Sequence, residues 1–265
     1  MKQPSGKTRY LPLLADPVDH VKAPSFINPT FEKMGLDYFL YPMHVRPQNL
    51  ESVVRALTKV DNIRGVNLTI PHKEAMAKLC DERGPNAELT GTVNIVRFED
   101  GRLIGEMFDG VGLVMGQKEH GIELSGRSAL ISGAGGAGRA VAFAYAREGV
   151  SRLGIANRSP ERAERLVADL KAAMPDLETM VVDADAAGWD VVCNCTSLGL
   201  HEGDALPIAV ERLEAGTDVV DIIAVRDTEL MDAGTARGCK VMGGVPMAVA
   251  QVAAFAKFLR GEPVE

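Results

Sequence analysis

The chain has 265 residues, of which 46% are hydrophobic, and a formal net charge of −7 at pH 7. This length and composition support a large buried core and two domains of ordinary size, which excludes a disordered or fibrous protein. The acidic balance, with a pI near 5.4, argues against nucleic acid or an anionic membrane surface as the main partner, so the expected ligands are small molecules.

The sequence carries no recognisable membrane span or secretory signal. No apolar run reaches the roughly 18 residues that a spanning helix needs, and residues 1–7 have no apolar stretch. We therefore expect a cytoplasmic protein, either a monomer or a homodimer. The histidines form no HExxH motif, so we expect no metal. The cysteines lack metal-ligand spacing and are expected to be buried, reduced thiols; they are Cys80, Cys193, Cys195 and Cys239.

The first part of the chain alternates short β-like runs with amphipathic helical runs, which is typical of a parallel α/β layer. In chain order, the predicted elements are a strand over 11–15, a helix over about 25–34, a strand over 37–41, a helix over 48–59, a strand over 65–69, a helix that begins at Lys73, and a hairpin of 92–98 with 102–104. The Asp-Gly pair at 100–101 favours the hairpin turn.

A second βαβ series follows a predicted helix over 110–120. Its strands are predicted near 128–132, 152–156, 179–182, 190–194, 217–222 and 239–242, and a helix with little charge over 246–259 ends the series. We therefore predict a two-lobed α/β fold, with an α/β substrate domain over 1–108, a doubly wound Rossmann-type domain over 109–243, and a segment over 244–265 that returns to the first lobe. The crevice between the lobes is the expected ligand site.

A glycine-rich segment directly follows the strand predicted at 128–132 and opens an Ala-rich helical run. Glycines at 133, 135 and 138 have the spacing of a dinucleotide loop. The first permits a tight turn, the second lets the backbone approach a pyrophosphate on the helix N-terminus, and the third lets the helix pack on the strand. The predicted cofactor contacts in this loop are Gly133, Ala134, Gly135, Gly136 and Ala137.

The end of the next strand indicates which dinucleotide binds. An NAD site places Asp or Glu there, where the carboxylate accepts a hydrogen bond from the ribose 2′-hydroxyl. This chain instead has Asn157, Arg158 and Ser159. Arg158 can offer a charge-assisted fork to a 2′-phosphate, with Asn157 and Ser159 as neutral donors and Arg162 one helical turn on. The alternative is that the two arginines belong to a solvated helix start. We predict NADP as the cofactor.

Several segments carry a resemblance to a known family. Residues 65–73 match the GxNVTxPxK stretch of the shikimate dehydrogenases, and residues 105–112 match the tail of their GxNTDGxG stretch. Further matches are residues 90–94 to AGAVNT, 133–139 to GAGGAxR, 157–159 to NRT and 193–199 to NATxxG, with Gln251 at the glutamine of their C-terminal helix. The chain thus resembles the shikimate dehydrogenases over nearly its whole length.

The resemblance implies reversible hydride transfer between NADP(H) and a ring alcohol or ketone, within aromatic amino acid biosynthesis. It implies Lys73 as the catalytic base and acid and Asp109 as its partner; alone, they would be a solvated lysine and an N-cap. It also implies substrate hydroxyl contacts from Asn67, Thr69, Asn94 and Gln251, and we include Thr196 and Gly244 among the predicted cofactor contacts.

The chain departs from the family where the substrate carboxylate binds. The family's SxSPxxHN signature supplies two serine hydroxyls to that carboxylate, and Val21 and Ala23 replace both serines here. Met107 and Phe108 replace the Asn-Thr pair before the catalytic aspartate, and Ala224 replaces a usual tyrosine. Because a carboxylate loses hydration in such an apolar site, we predict Val21, Ala23 and Phe108 as substrate-facing and shikimate as a poor ligand.

The leading hypothesis is an oxidoreductase that acts on a ring alcohol less anionic than shikimate, or with its acid group elsewhere. Lys22, or Ser25 in a shifted register, could instead rebuild the carboxylate site and keep shikimate or quinate chemistry. A third hypothesis is a catalytically silent NADP-binding sensor. Retention of both Lys73 and Asp109 argues against the sensor, because an apolar crevice gives no physical reason to keep an idle charged pair.

Overall fold

The computed structural model describes residues 3–264, and the chain folds into two compact units. The first unit comprises the chain up to Phe108 together with Gln251 and the residues after it, and the second comprises Asp109–Ala250. Among the described residues, no helix has the length and apolar character to cross a membrane.

The first unit is built on a six-stranded sheet. Its strands are β1 (Arg9–Ala15), β2 (Tyr38–His44), β3 (Gly65–Leu68), β4 (Glu82–Arg83), β5 (Ile95–Glu99) and β6 (Arg102–Glu106), and its first helices are α1 (Pro24–Lys33), α2 (Leu50–Leu57), α3 (Lys73–Leu79) and α4 (Pro85–Thr90). The strand order is β2-β1-β3-β5-β6-β4. The parallel layer predicted from the sequence covers only part of the sheet, because the β5–β6 hairpin pairs antiparallel with β3.

The second unit has a six-stranded, fully parallel sheet between helices. Its strands are β7 (Ser128–Ser132), β8 (Arg152–Ala156), β9 (Glu178–Val181), β10 (Val191–Asn194), β11 (Asp218–Asp221) and β12 (Val241–Met242), and its helices are α5 (Asp109–Glu119), α6 (Gly136–Arg147), α7 (Pro160–Ala173), α8 (Glu229–Ala236) and α9 (Gly244–Ala250). The order β12-β11-β10-β7-β8-β9 reverses direction between β7 and β10. Doubly wound sheets bind their ligands at this switch point, outside the carboxyl ends of the strands.

The end of the chain corrects one prediction. The single helix expected over 246–259 is two helices, α9 and then α10 (Val252–Leu259), which are separated at Gln251. Helix α9 packs on α5 within the second unit, where a Cβ at Gly116 would lie 3.1 Å from Pro246. Helix α10 belongs to the first unit, and its Phe255 is buried in the core with Leu11 and Leu40. The boundary therefore falls after Ala250, seven residues later than the sequence suggested.

Candidate active site

Lys73 is the first residue of α3, directly after the turn that follows β3. The turn is tied down by a backbone bond from the His72 amide to the Thr69 carbonyl, at 2.9 Å. The His72 ring is buried, which lowers its pKa, and its Nε2 donates to the Val45 carbonyl at 2.8 Å. The Val93 amide donates to the Lys73 carbonyl at 3.1 Å. These bonds hold the half-buried Lys73 beside the segment that carries Asn94.

Asn94 is the centre of a buried amide cluster in the first unit. Its Oδ1 accepts from the Phe108 backbone amide at 3.0 Å, and its Nδ2 donates to Gln251 Oε1 at 2.8 Å. A backbone amide can only donate, so the atom of Asn94 that faces the Phe108 amide must be the oxygen. The other end of Asn94 is then the NH₂ group, so the atom of Gln251 that faces it must also be the oxygen. Gln251 Oε1 is therefore the end of that side chain that binds Asn94, and Nε2 is its donor end.

Two more predicted substrate residues lie at the carboxyl end of β3. Asn67 is buried, and its Nδ2 donates to the Asn94 carbonyl at 2.8 Å, which leaves its Oδ1 as the acceptor end. Thr69 is half-buried, and its backbone amide donates to the Leu14 carbonyl at 3.1 Å. The structure thus groups Asn67, Asn94 and Gln251 in one cluster, and Thr69 lies two residues after Asn67 in the chain.

Asp109 is buried at the first position of α5 in the second unit. It directly follows Phe108, whose amide the Asn94 side chain holds. Its pairing with Lys73 stays a prediction.

The segment before α1 is apolar where the family signature has serines. Val21 and Ala23 are partly buried and pack against the core cluster that contains Leu11, Leu13 and Phe108. The Phe108 ring is 2% exposed, and its centroid lies 5.9 Å from the ring centroid of Phe255. This ring packs in the core, and its predicted contact with the substrate stays a prediction. The Phe108 amide orients Asn94.

The start of α1 uses its hydrogen-bond donors internally. Pro24, the first residue of the helix, has no N–H. The Ser25 amide donates to the Lys22 carbonyl at 2.9 Å, and the Phe26 amide donates to the Ala23 carbonyl at 3.2 Å. The Ser25 hydroxyl also donates to the Lys22 carbonyl, at 2.7 Å. A hydroxyl has one proton, so Ser25 does not rebuild the missing carboxylate site in this arrangement.

In the second unit, each of the three glycines of the dinucleotide loop has a different geometric role. Gly133 and Gly135 lie between β7 and α6, and Gly138 lies in the first turn of α6. Gly133 has a φ of +113°, and a Cβ there would lie 2.8 Å from the Cys195 backbone. A Cβ at Gly138 would lie 2.0 Å from the Gly133 carbonyl oxygen, so a side chain would prevent the helix from closing on the turn. Gly135, by contrast, faces open space. A side chain at Gly135 would therefore extend into the space where the dinucleotide-loop prediction places the pyrophosphate.

Of the polar residues that follow β8, Asn157 is bound within the protein, whereas the two arginines are exposed. Asn157 Oδ1 accepts from the Ala134 amide at 3.0 Å, and its Nδ2 donates to the Ser159 carbonyl at 2.9 Å. Asn157 therefore shapes the glycine loop, and its predicted contact with the 2′-phosphate stays a prediction. Arg158 and Arg162 are exposed. Their binding to the 2′-phosphate stays a prediction.

The remaining predicted cofactor residues lie beyond β10 and β12. Thr196 is half-buried in the turn after β10, and both its amide and its hydroxyl donate to Asn194 Oδ1. Gly244 is buried at the start of α9, where a Cβ would lie 2.1 Å from the Ile222 carbonyl oxygen. The glycine is thus required by packing against the end of β11. Sequence reasoning overlooked Asn194 and the buried Asp221 to which it binds, although both end strands on the cofactor side.

The cysteines and acidic residues offer no metal centre. No group of His, Cys, Asp and Glu within residues 3–264 has the geometry to hold a metal ion. Cys193 and Cys195 are buried with their sulfur atoms 3.5 Å apart, whereas Cys80 and Cys239 are only partly buried, which corrects the expectation that all four are buried. Each of the four is a free thiol.

Replacing Gly135 with alanine should separate cofactor binding from stability. Its φ of −83° is accessible to alanine and the Cβ meets open space, so the midpoint of thermal unfolding should not change. The new methyl group would occupy the approach to the pyrophosphate, so affinity for NADPH should fall about tenfold or more, measured by NADPH fluorescence titration. Gly216→Ala, also facing open space, is the matched control. Unchanged NADPH affinity in Gly135→Ala would contradict this placement of the loop.

Comparison with known proteins supplies the family. Residues 13–96 match the family described as shikimate dehydrogenase substrate binding domain, and residues 115–229 match shikimate / quinate 5-dehydrogenase. A shikimate dehydrogenase (NADP(+)) of Rubrobacter xylanophilus is 40% identical over 93% of this chain and 88% of its own length. The chain belongs to the shikimate dehydrogenase family.

Solved structures in the same comparison agree with the fold. The shikimate 5-dehydrogenase of Thermus thermophilus, in complex with NADP(H) and shikimate, is 30% identical, with a TM-score of 0.84 over 97% of this chain and 95% of that one. A 5-ketofructose reductase from a Gluconobacter strain is 26% identical, with a TM-score of 0.84 over 98% of this chain and 96% of that one. Membership of the shikimate dehydrogenase family confirms the predictions of a two-domain Rossmann-type fold and of NADP-dependent alcohol oxidoreduction.

Proposed function

We propose that this shikimate dehydrogenase family member catalyses reversible NADP-dependent oxidoreduction of a shikimate-like ring alcohol that is uncharged where shikimate has its carboxylate. The observation that carries the proposal is the apolar segment before α1. Val21 and Ala23 pack on the core where the family signature provides two hydroxyl donors. A carboxylate placed there would lose hydration without the two serine hydrogen bonds that the signature supplies, which is costly.

The residues of the first unit supply binding and proton exchange. Asn67 Oδ1 and Gln251 Nε2, as an acceptor and a donor, suit the two sides of a ring hydroxyl, and Thr69 supplies a further hydroxyl. Lys73 takes the alcohol proton during oxidation and returns it during reduction, with Asp109 as its carboxylate partner. NADP, when bound, supplies the hydride acceptor of the reaction.

The residues of the second unit fit NADP. The open face of Gly135 admits the pyrophosphate, and the exposed Arg158 and Arg162 suit the 2′-phosphate. The residue directly after β8 is Asn157, so no carboxylate stands at that position to repel the 2′-phosphate.

The competing hypotheses have weaker support. Retained shikimate or quinate chemistry needs new donors for the carboxylate. The Ser25 proton already donates to the Lys22 carbonyl, so this hypothesis depends on the Lys22 side chain. The 5-ketofructose reductase supports the leading proposal, since its name describes a keto sugar as substrate on the same fold. A silent sensor would not require Lys73 and Asp109 to be kept together.

A panel of cyclic polyols and their ketones, with NADP or NADPH and read by NADPH absorbance, tests this proposal. We expect turnover of at least one neutral ring alcohol and a much lower kcat/KM for shikimate. Shikimate turnover with an ordinary, millimolar or lower KM would contradict the altered substrate. NADPH binding without turnover of any member, unchanged in Lys73→Ala, would support the sensor.

Arg158→Ala should shift the cofactor preference towards NAD. Loss of a charge-assisted hydrogen bond is worth about 1.5 to 3 kcal/mol, so the KM for NADP should rise on the order of tenfold or more. The KM for NAD should change little, because NAD has no 2′-phosphate. Arg165→Ala, exposed on the following helix α7, is the matched control. An equal loss for both cofactors would contradict the assignment of Arg158 to the 2′-phosphate.

A further inference from the structure

Asp221 is a completely buried carboxylate at the carboxyl end of β11, on the side of the sheet where the dinucleotide loop lies. Three donors converge on it. Its Oδ1 accepts from Asn194 Nδ2 and from the Ile223 amide, each at 2.9 Å, and its Oδ2 accepts from the Thr228 hydroxyl at 2.8 Å. Thr228 is also the N-cap of α8. One carboxylate thus joins the ends of two adjacent strands to the start of a helix.

The contacts continue from Asp221 into the turn after β10. Asn194 Nδ2 also donates to the Leu198 carbonyl at 3.0 Å, and its Oδ1 accepts from the Thr196 amide at 2.9 Å and the Thr196 hydroxyl at 2.8 Å. The Leu198 amide closes the turn by donating to the Thr196 hydroxyl oxygen at 3.0 Å. Because both ends of the Asn194 amide are committed to the turn, the orientation that Asp221 imposes on Asn194 sets the shape of residues 194–198.

This turn lies at the switch point of the sheet. Strand β10 pairs with β7, and the turn after β10 directly contacts the loop after β7, since a Cβ on Gly133 would lie 2.8 Å from the Cys195 backbone. In a doubly wound sheet, the loops after these two strands form the opposite walls of the dinucleotide crevice. A change in the Asn194 turn therefore changes the second wall of the proposed NADP site.

We propose that Asp221 is a positioning residue for the cofactor, which acts through Asn194 to hold the Thr196 turn in the form that accepts NADP. This inference rests on the proposed function, because it assigns Thr196 to the NADP site. Asp221 itself touches no ligand in this account. The carboxylate is required because it accepts from three donors at once, whereas an asparagine would present hydrogens to one of them.

The charge state of Asp221 links this network to pH. Burial raises its pKa to about 6, and the bonds from Ile223, Thr228 and Asn194 oppose that rise. Cys195 directly follows β10, and the pKa of its thiol is raised by the contact with Cys193 and by burial, with smaller contributions from Asp221 and Asp109. The Arg226–Glu229 ion pair flanks Thr228 at the start of α8. A raised pKa means that the folded protein gains a proton as pH falls through about 6, so the acceptor geometry is complete above that pH and lost below it.

NADPH titration of Asp221→Asn, followed by NADPH fluorescence between pH 5 and pH 8, tests the inference. At pH 8 we expect affinity about tenfold or more below wild type. The wild-type advantage should shrink towards pH 5, where the native carboxyl also carries a hydrogen. The 2′-phosphate titrates in the same range in both proteins, so the ratio of their affinities isolates Asp221.

Asp218→Asn is the matched control, because Asp218 is a buried carboxylate at the opposite end of the same strand and pairs with Arg127. It should lower the unfolding midpoint without changing NADPH affinity. If Asp221→Asn fails to fold, Thr228→Val removes one donor to Asp221 and should weaken NADPH binding in the same direction.

Wild-type affinity in Asp221→Asn, an equal loss in Asp218→Asn, or a wild-type advantage that does not change with pH would overturn the inference. If wild-type protein does not bind NADPH, the proposed function fails instead.

Discussion

Lys73→Ala is expected to lower kcat by about 10²- to 10⁴-fold, the usual contribution of a positioned general acid or base. The variant loses the amine that exchanges a proton with the substrate oxygen. It should retain NADPH affinity, since the glycine loop and Arg158 lie in the second unit. Stopped-flow measurement of NADPH oxidation, together with fluorescence titration of NADPH binding, separates the two effects.

The matched control for Lys73 is Lys78→Ala, which removes an exposed lysine from the last turn of the same helix α3. It should have nearly wild-type kcat. A Lys73→Ala protein with turnover within a few-fold of wild type would exclude Lys73 as the proton-exchanging group. Equal losses in both variants would instead indicate that α3 tolerates no truncation.

The double substitution Val21→Ser with Ala23→Ser is expected to raise kcat/KM for shikimate by about 100-fold. It restores the two hydroxyls that the family signature places on the substrate carboxylate, and each charge-assisted hydrogen bond is worth about 1.5 kcal/mol or more, which is roughly tenfold. Activity on neutral ring alcohols should fall or stay constant. Steady-state kinetics with both substrates measure this change in specificity.

Val18→Ser provides the matched control, because Val18 is partly buried against the same core cluster but lies outside the signature. It should leave the preference between shikimate and neutral alcohols unchanged. If the double variant gains no activity on shikimate while it stays folded, the missing serines do not determine specificity in this chain.

The parts of the molecule that could be predicted from sequence are those with local causes. The dinucleotide loop is one example, because the positive φ of Gly133 and the close approach at Gly138 arise within a single strand, turn and helix. Lys73 is another, since it follows its strand by a short turn that its own backbone closes.

The features that escaped prediction depend on residues far apart in the chain. Helix α4 has only six residues, and its Ala87 amide is capped by Glu106 Oε1 at 2.8 Å, from a strand 19 positions later. A Cβ at Gly84 would lie 2.1 Å from Glu106 Oε2, so a larger residue there would force the Glu106 side chain to move. Likewise, Gln251, the residue between α9 and α10, is bound by Asn94, 157 positions earlier. The pattern of neighbouring residues in the sequence does not indicate contacts between residues so far apart in the chain.

Some partners of the predicted site residues could not be seen in the sequence. Asn157 lies beside the glycine loop, where its side-chain oxygen accepts a hydrogen bond from the Ala134 amide. The Phe108 ring is drawn into the core by the aromatic residues of α10, Phe255 and Phe258. In both cases the partner inside the protein comes from a distant part of the chain, and the predicted ligand contact stays a prediction.

The most direct test of the altered substrate is the ratio of kcat/KM for methyl shikimate to that for shikimate, measured on the wild-type protein with NADP at pH 8. The two compounds share the ring and its hydroxyls and differ only in the charge of the group expected at Val21 and Ala23. We predict a ratio above about 10, since the ester avoids burial of an unpaired carboxylate. A ratio below one, with a submillimolar KM for shikimate, would contradict the account.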